Sequence, residues 1–321
     1  MADKWQDINQ YMKESKTNLL MVQEAHLTQE DVDNIHDLYG TRLRVVFSQG
    51  DNHWAAGVAI VINKERSMSS NIEVFEVIPG RALLTRMPWH GDLLLTTLNI
   101  YAPNDHSDNE AFWKELKRKF ATENIPRPNM MIGDFNLVED AIDRLPTHLD
   151  HAGATQALYE LRSMLRLEDG WRKYKENEKA YSYLQKANNI QSRIDRIYAT
   201  TDITKNANEW DIKTSPVTTD HSVVSVKIAN LKLPQQGHGR WQMPMFQLRD
   251  KEFQKEAKFL AKELGDKADK IRRTHQNNVQ LLHREFKGQI RNLAIRRAKQ
   301  AVPKMDKTIS KLETEHKTTL N

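Results

Sequence analysis

Five stretches that lie far apart in the chain each end in a group able to ligate a cation, hold a phosphate or move a proton. NLLMVQE closes on Glu24, and LNIYAPND carries Asn99, Tyr101 and Asn104. MMIGDFN supplies Asp134 and Asn136, SRIDRIY supplies Asp195, and TTDHSVV supplies Asp220 and His221. Each group borders an apolar run that reads as a short strand, so all are expected along one edge of a sheet sandwich. Carboxylates gathered there stay ionised only where a cation or hydrogen bonds compensate the lost solvation. A hard divalent cation answers that need, because Mg2+ takes oxygen ligands and keeps several waters for a phosphate to displace. Taken singly, the same residues have ordinary readings. Asp or Asn after a strand is a common turn residue, Glu24 a solvent-facing cap, Tyr101 a half-buried aromatic, and Asp195 an ion-pair partner for Arg193 or Arg196. It is the ordered set that points to a site.

The elements that must position these groups are legible in the periodicity. Trp5, Ile8 and Met12 stand at helical spacing within residues 3–16. Strands are expected over NLLMVQ, RLRVVF, GVAIVI, EVFEVI, LLLTTLNIY, NMMIGD, SRIDRIYA and HSVVSVKI, and helices over FWKELKRKF and ATQALYELRSMLRL. Many short strands with occasional helices between them make an α+β layered fold. After about residue 230, LKLPQQGHGRW reads as a linker with Pro and Gly. Beyond it, Asp250 is expected to cap a helix that Gly265 stops. A longer helix then carries Ile271, Val279, Leu282, Phe286, Ile290 and Leu293 along one stripe until Pro303 ends it.

Composition narrows the classes further. The 321 residues, 39% hydrophobic and 28% charged, suffice for a sizeable core. The N-terminus is charged and no run approaches the roughly 18 apolar residues of a membrane span, so neither a signal peptide nor a membrane segment is expected, and an intracellular protein is. The absence of cysteine excludes disulfides, thiolate zinc sites and cysteine nucleophiles. Charge is unevenly spread: residues 231–321 hold 21 Lys and Arg against 10 Asp and Glu, leaving 27 against 33 for residues 1–230. An acidic module with a basic tail suits a phosphate backbone as partner.

VQEAHL, NIYAPN, IGDFN, SRIDRIY and TDHSVV, in that order, closely resemble the motifs of the endonuclease/exonuclease/phosphatase superfamily, which includes deoxyribonuclease I and the apurinic-type DNA endonucleases. Within it the chain looks most like the endonuclease domain of non-LTR (LINE-type) retrotransposon polyproteins. The hints are LVEDAIDRLP directly after GDFN, LEDGWRKYKENEKAYSY before SRIDRIY, and GRWQMP after the last strand. The resemblance covers about residues 4–230 and implies a four-layer α/β-sandwich, two mainly antiparallel sheets flanked by helices. It divides the chain into that domain over 1–230, a linker over 231–248, and a basic helical extension over 249–321 like the connector to a reverse transcriptase. The family's first strand, which brings an asparagine beside the metal, is expected to be missing because Met1 falls at the start of the first helix. A fragment of a longer polyprotein, with impaired activity, is expected accordingly.

The resemblance also assigns roles. Glu24 ligates Mg2+, or Mn2+ in its place, with help from Asp220; Asp134 orients or deprotonates the attacking water; Asn136 holds water or phosphate. His221 hydrogen-bonds the scissile phosphate, Asp195 fixes its tautomer, and Tyr101 and Asn104 steady phosphate oxygens, with Arg193 counted among the substrate-binding residues. The expected function is a Mg2+-dependent DNA endonuclease that nicks the target site of a non-LTR retrotransposon. An apurinic-site repair endonuclease, a lipid or inositol phosphate phosphatase, and a catalytically degenerate nucleic-acid-binding remnant are the alternatives. The implied partners are DNA and, through the basic tail, a downstream reverse transcriptase domain or element RNA, with no membrane and, in a eukaryote, a nuclear setting.

Overall fold

The computed structural model describes residues 2–50, 56–185, 187–215, 217–229, 243–274 and 276–320. They divide into two compact units, Met1–Leu233 and Pro234–Asn321. The first unit opens with α1 (Ala2–Glu14), β1 (Leu19–Gln23), α2 (Gln29–Tyr39), β2 (Leu43–Ser48) and β3 (Val58–Asn63). It continues through β4 (Glu73–Ile78), β5 (Ala82–His90), β6 (Leu93–Tyr101), α3 (His106–Thr122) and β7 (Met130–Asp134). β8 (Arg144–Leu145), α4 (Ala152–Leu165), β9 (Leu167–Asp169), α5 (Gly170–Tyr174), β10 (Tyr183–Gln185) and β11 (Ile190–Ser192) come next. β12 (Asp195–Thr200), α6 (Thr201–Lys205), β13 (Ala207–Thr214) and β14 (Ser222–Ile228) complete it.

The two-residue period of the strands sorts their side chains into layers. A six-stranded sheet runs β4-β5-β6-β7-β12-β9, antiparallel throughout except for the parallel pair β6–β7. One of its faces sends Leu84, Leu98, Ile100, Met131 and Tyr198 against Trp113 and Leu116 of α3 and Leu158 and Leu161 of α4. The other face sends Leu83, Met87, Tyr101, Met130 and Ile197 against Val58, Ile60 and Ile62 of β3. β3 lies between β1 and β2, and its remaining residues Ala59 and Val61 meet Trp5, Ile8 and Met12 of α1 with Val32 and Ile35 of α2. Burial on both faces explains why GVAIVI is a continuous apolar run instead of an alternating one. The sequence of layers is therefore helices, sheet, sheet, helices, as the α+β reading expects. The β13–β14 hairpin turns Val224, Val226 and Ile228 into the same inter-sheet core as Leu19 and Met21 of β1. Among the described residues, β1 pairs as a strand only with β3 and β14 only with β13, while Ser222 at the start of β14 also donates to the Ser182 carbonyl at 2.6 Å.

In the second unit, a 3-10 turn (Met245–Arg249) precedes α7 (Lys251–Lys270) and α8 (Val279–Leu320). Asp250 caps α7 as anticipated, its carboxylate accepting the amides of Glu252 and Phe253. Two expected breaks fail. Gly265 lies within α7, Ile271 is the C-cap of that helix, and Pro303 lies inside α8. Gly within a helix costs only about 1 kcal/mol relative to Ala, too little to stop a helix that other residues favour. Phe253, Leu293 and Ala294 form a small core with Met243, Leu260 and Ile290. Of the stretch read as a linker, 231–242 lies outside the described residues, while Gln247 is fully buried and donates to the Ala294 carbonyl at 2.6 Å. No described helix is long and apolar enough to cross a membrane.

One core contact bears directly on the polar edge of the first unit. Phe135, between Asp134 and Asn136, is fully buried, stacked on Trp113 at 5.5 Å and edge-on to Tyr198 at 4.9 Å. Trp113 donates its indole N–H to Asn109, whose amide in turn donates to the carbonyls of Pro103 and Phe135. Phe135→Ala should cost about 3–5 kcal/mol in a denaturant melt, and should also loosen the loop that carries Asp134 and Asn136. A loss below about 1 kcal/mol would show that the loop is held by something other than this aromatic anchor.

Candidate active site

The register of three neighbouring strands assembles the site. β6 and β7 run parallel, so their last residues, Tyr101 and Asp134, lie side by side. β12 runs antiparallel to β7, so its first residue, Asp195, lies on the other flank of Asp134. Adjacent strands are about 4.8 Å apart, which places a phenol and two carboxylates in a row on one edge. His221, just before β14, closes the group: its Nδ1 stands 2.8 Å from Asp195 Oδ2. One ligating atom from each of Asp134, Asp195 and His221 lies within 4.8 Å of the others.

Glu24 reaches the row from the opposite sheet. It follows the last residue of β1 with a left-handed backbone, φ 51°, a conformation that non-glycine residues rarely hold without a constraint. Tyr101 Oη donates to Glu24 Oε1 at 2.6 Å. Behind it, Asn99 accepts from Gln23 Nε2 at 2.6 Å and donates to the carbonyls of Ala59 and Val22. Asn99 is fully buried and thus ties the two sheets together; it is not a group that meets substrate. Asn136 is likewise left-handed, φ 50°. Its backbone N–H donates to Asp134 Oδ1 at 2.9 Å and its side-chain amide to the Ala102 carbonyl at 2.8 Å.

The electrostatics follow from this crowding. Burial raises the pKa of Asp134 to about 8, with the neighbouring negative charge of Asp195 adding to it and His221 and the Asn136 amide opposing. For His221, burial works against the charged ring, but the hydrogen bond and charge of Asp195, together with Asp134 and Asp220, outweigh it and raise the pKa to about 9. Burial and the bond to Glu24 push the Tyr101 phenol upward, so it remains a donor. A carboxyl forced to hold its proton beside another carboxylate is a site short of positive charge. Carboxylate oxygens so placed suit a divalent cation, whereas an imidazole that holds its proton and has Nδ1 on Asp195 is not a ligand.

The other expected residues divide. Asp220 and Asn104 are exposed; Asp220 contributes its charge to His221, and Asn104 stands in the turn between β6 and α3. Arg193 is not a substrate-binding residue. It is 1% exposed, and its guanidinium is consumed by Asp143 at 2.7–2.8 Å and Asp169 at 2.7 Å. Asp143, buried in the turn after LVED, also pairs with Arg172 and with Arg196, and Arg196 continues to Glu139 and Tyr198. Asp195 therefore serves His221, and the flanking arginines find their carboxylates elsewhere. For Arg196 the alternation in SRIDRIY contained that signal, since a strand sends Asp195 and Arg196 to opposite faces; for Arg193 it did not.

A family model described as the Endonuclease/Exonuclease/phosphatase family matches residues 5–221. The Xenopus laevis "Transposon TX1 uncharacterized 149 kDa protein" is 28% identical over 183 residues, which is 56% of this chain but only 14% of that protein. The endonuclease domain of TRAS1, a telomere-specific non-LTR retrotransposon, superposes with a TM-score of 0.52 at 16% identity, covering 71% of this chain and 94% of its own. An AP endonuclease from Archaeoglobus fulgidus superposes with a TM-score of 0.56 at 19% identity, covering 71% and 95%. At these identities the two superpositions establish a shared fold.

The raised pKa values set a pH dependence. Asp134 binds its proton more tightly folded than unfolded, so its contribution to stability falls as pH climbs from 3.8 to about 8. His221 contributes stability that is complete below 6.5 and lost as pH rises through about 9. In EDTA the melting temperature should thus decline steadily between about pH 6 and pH 9, and Asp134→Asn and His221→Gln should each flatten the decline. A melting temperature that rises over that interval contradicts both assignments.

Proposed function

This chain belongs to the endonuclease/exonuclease/phosphatase family, and from that premise we propose that it is a divalent-metal-dependent phosphodiesterase that nicks DNA at the insertion site of a non-LTR retrotransposon. The observation that carries the reading is the row of Tyr101, Asp134 and Asp195 on adjacent strand ends, closed by His221 on Asp195. The similarity to a transposon protein supports the biological setting. We assign Glu24 as the principal ligand of Mg2+, or of Mn2+ in its place, with the charge of Asp134 beside it and Asp220 at the rim. Bound there, the cation supplies charge compensation on the phosphoryl oxygens and on the departing oxygen.

The chain's own residues do the rest. Asp134, ionised once positive charge is near, takes the proton of the attacking water, and Asn136 holds the loop that aims it. Nδ1 of His221 is committed to Asp195, so Nε2 is the atom left to donate to a phosphoryl oxygen, and the charge of Asp195 keeps the ring protonated for that task. Tyr101 Oη and Asn104 steady the remaining oxygens. Rigid strand ends suit this chemistry, because misplacement by about 1 Å costs on the order of 100-fold in rate.

Supercoiled plasmid, an abasic oligonucleotide and an inositol phosphate, each with Mg2+ or EDTA, separate the readings. Plasmid nicking in Mg2+ is the expected result; cleavage confined to abasic DNA supports a repair endonuclease, and turnover of the inositol phosphate alone a phosphatase. Glu24→Ala and Asp134→Ala should each abolish nearly all nicking, and His221→Ala should reduce it by about 100-fold or more. Asp195→Asn combined with His221→Ala should lose far less than the product of the single losses, since one acts through the other.

The basic second unit generates a separate expectation. Deleting residues 240–321 should weaken DNA binding and flatten the dependence of log affinity on log salt, because the deleted segment carries the excess of Lys and Arg. An unchanged slope would assign these helices to a protein or RNA partner instead.

A further inference from the structure

Strand β10 brings Tyr183 directly against His221. The two residues form an antiparallel backbone bridge, and their ring centroids are 4.8 Å apart with the planes inclined by 42°. The same short strand grips both halves of the His–Asp couple through its backbone neighbours. Ser182, 1% exposed, accepts the Asp195 amide on its Oγ at 3.0 Å and the Ser222 amide on its carbonyl at 2.6 Å. The Leu184 amide reaches the Asp220 carbonyl at 3.4 Å, and the Ser182 amide is anchored on the Ser192 carbonyl at 3.0 Å. Ser182 and Leu184 thereby set the register of Asp195 and His221, while the phenol ring lies at the imidazole.

A single hydrogen bond at Nδ1 fixes one atom of an imidazole but leaves the ring free to tilt about that contact. A flat side chain in van der Waals contact removes the freedom, since catalytic geometry depends on rotamers locked by packing. We propose that Tyr183 is a positioning residue for His221, its ring fixing the plane of the imidazole that Asp195 holds, so that Nε2 stays aimed at the phosphate. The proposal deepens the nuclease reading given above and rests on it for the role of Nε2. The hydroxyl of Tyr183 is not what the contact uses; the aromatic face is. A side chain of similar size without a flat face should fail where phenylalanine succeeds.

The test uses the full chain with Tyr183→Phe and Tyr183→Leu, read by plasmid nicking, by melting temperature, and by 13C-edited NMR of the His221 ring protons assigned through His221→Gln. Tyr183→Leu should lower kcat by about 10 to 100-fold, the scale of a misplaced reacting group, with KM within about threefold and the melting temperature unchanged. Tyr183→Phe should recover most of that loss. The His221 ring protons should keep their ring-current shift in Tyr183→Phe and lose it, with increased mobility, in Tyr183→Leu. The proposal is overturned if Tyr183→Leu keeps kcat and the His221 shift, if it raises KM alone, which would make the ring a DNA contact, or if Tyr183→Phe loses as much as Tyr183→Leu. Should Tyr183→Leu melt early, Tyr183→Met replaces it. A wild-type chain that nicks no DNA sinks the nuclease reading, and the NMR comparison then decides the positioning of His221 by itself.

Discussion

Two carboxylates on neighbouring strands, Asp134 and Asp195, face each other where Asp134 is only 5% exposed. Left alone, two such groups repel, and the buried one gives up its charge. Each surrounding feature of the site bears on that repulsion. His221 neutralises Asp195 through a direct hydrogen bond, and the Asn136 amide gives Asp134 one donor. Together they offset only part of the burial and repulsion that raise the Asp134 pKa. Positive charge brought next to Asp134 would lower the cost of its ionisation, so cation binding and proton release at that carboxylate are thermodynamically linked.

Repulsion of this kind persists only if the backbone cannot move away from it. Beneath the strand ends, Arg193, Arg196 and Arg172 converge on Asp143, with Asp169 and Glu139 completing the set. With Arg162 on Glu139 at 2.9 Å, four guanidinium groups meet three carboxylates, so every acid of the set has a cationic partner. The Asp143 carbonyl also accepts the Arg193 amide at 2.8 Å, which ties the turn after LVED to the chain two residues before Asp195. Such a network adds little net stability compared with a well-packed apolar core, yet removing one partner strands a buried charge at about 3–5 kcal/mol. Its contribution here is to define one position for β12, and so one distance between Asp195 and Asp134.

Most of the layered fold, and the strand ends that bring Tyr101, Asp134 and Asp195 side by side, were legible because both depend on patterns that short windows contain. Strand runs show alternation or continuous apolar character, and a polar residue after such a run marks a strand end. What escaped depends on pairing across the chain. β5 carries Arg86 and Pro88 within its run, and β13 has a register shift between Asn208 and Asp211, so neither alternates cleanly. β10 is three residues long, and the importance of Tyr183 arises from the bridge to His221 and not from its neighbours in sequence. Arg193 looked available because arginine beside an active-site motif suggests phosphate; only the folded chain shows that Asp143, 50 positions away, has already claimed it. Gly265 and Pro303 misled for the opposite reason, since local breaking signals lose to the residues around them in a long helix.

The charge pattern sets a condition on any anionic substrate. Asp134, Asp195 and Asp220 bear on one imidazole, and residues 1–230 carry more acid than base overall. A DNA backbone approaching that edge meets like charge at every distance beyond the hydrogen-bonded donors. Interactions past about 10 Å are damped by salt at 0.1 M, so attraction of an anion to that edge depends on positive charge close by, such as the ring of His221. Long-range attraction has to come from elsewhere in the molecule, and the surplus of Lys and Arg lies after residue 230. The charge of the chain is thus divided between an excess of acid up to residue 230 and an excess of base after it, and a polyanion would meet the two with opposite sign.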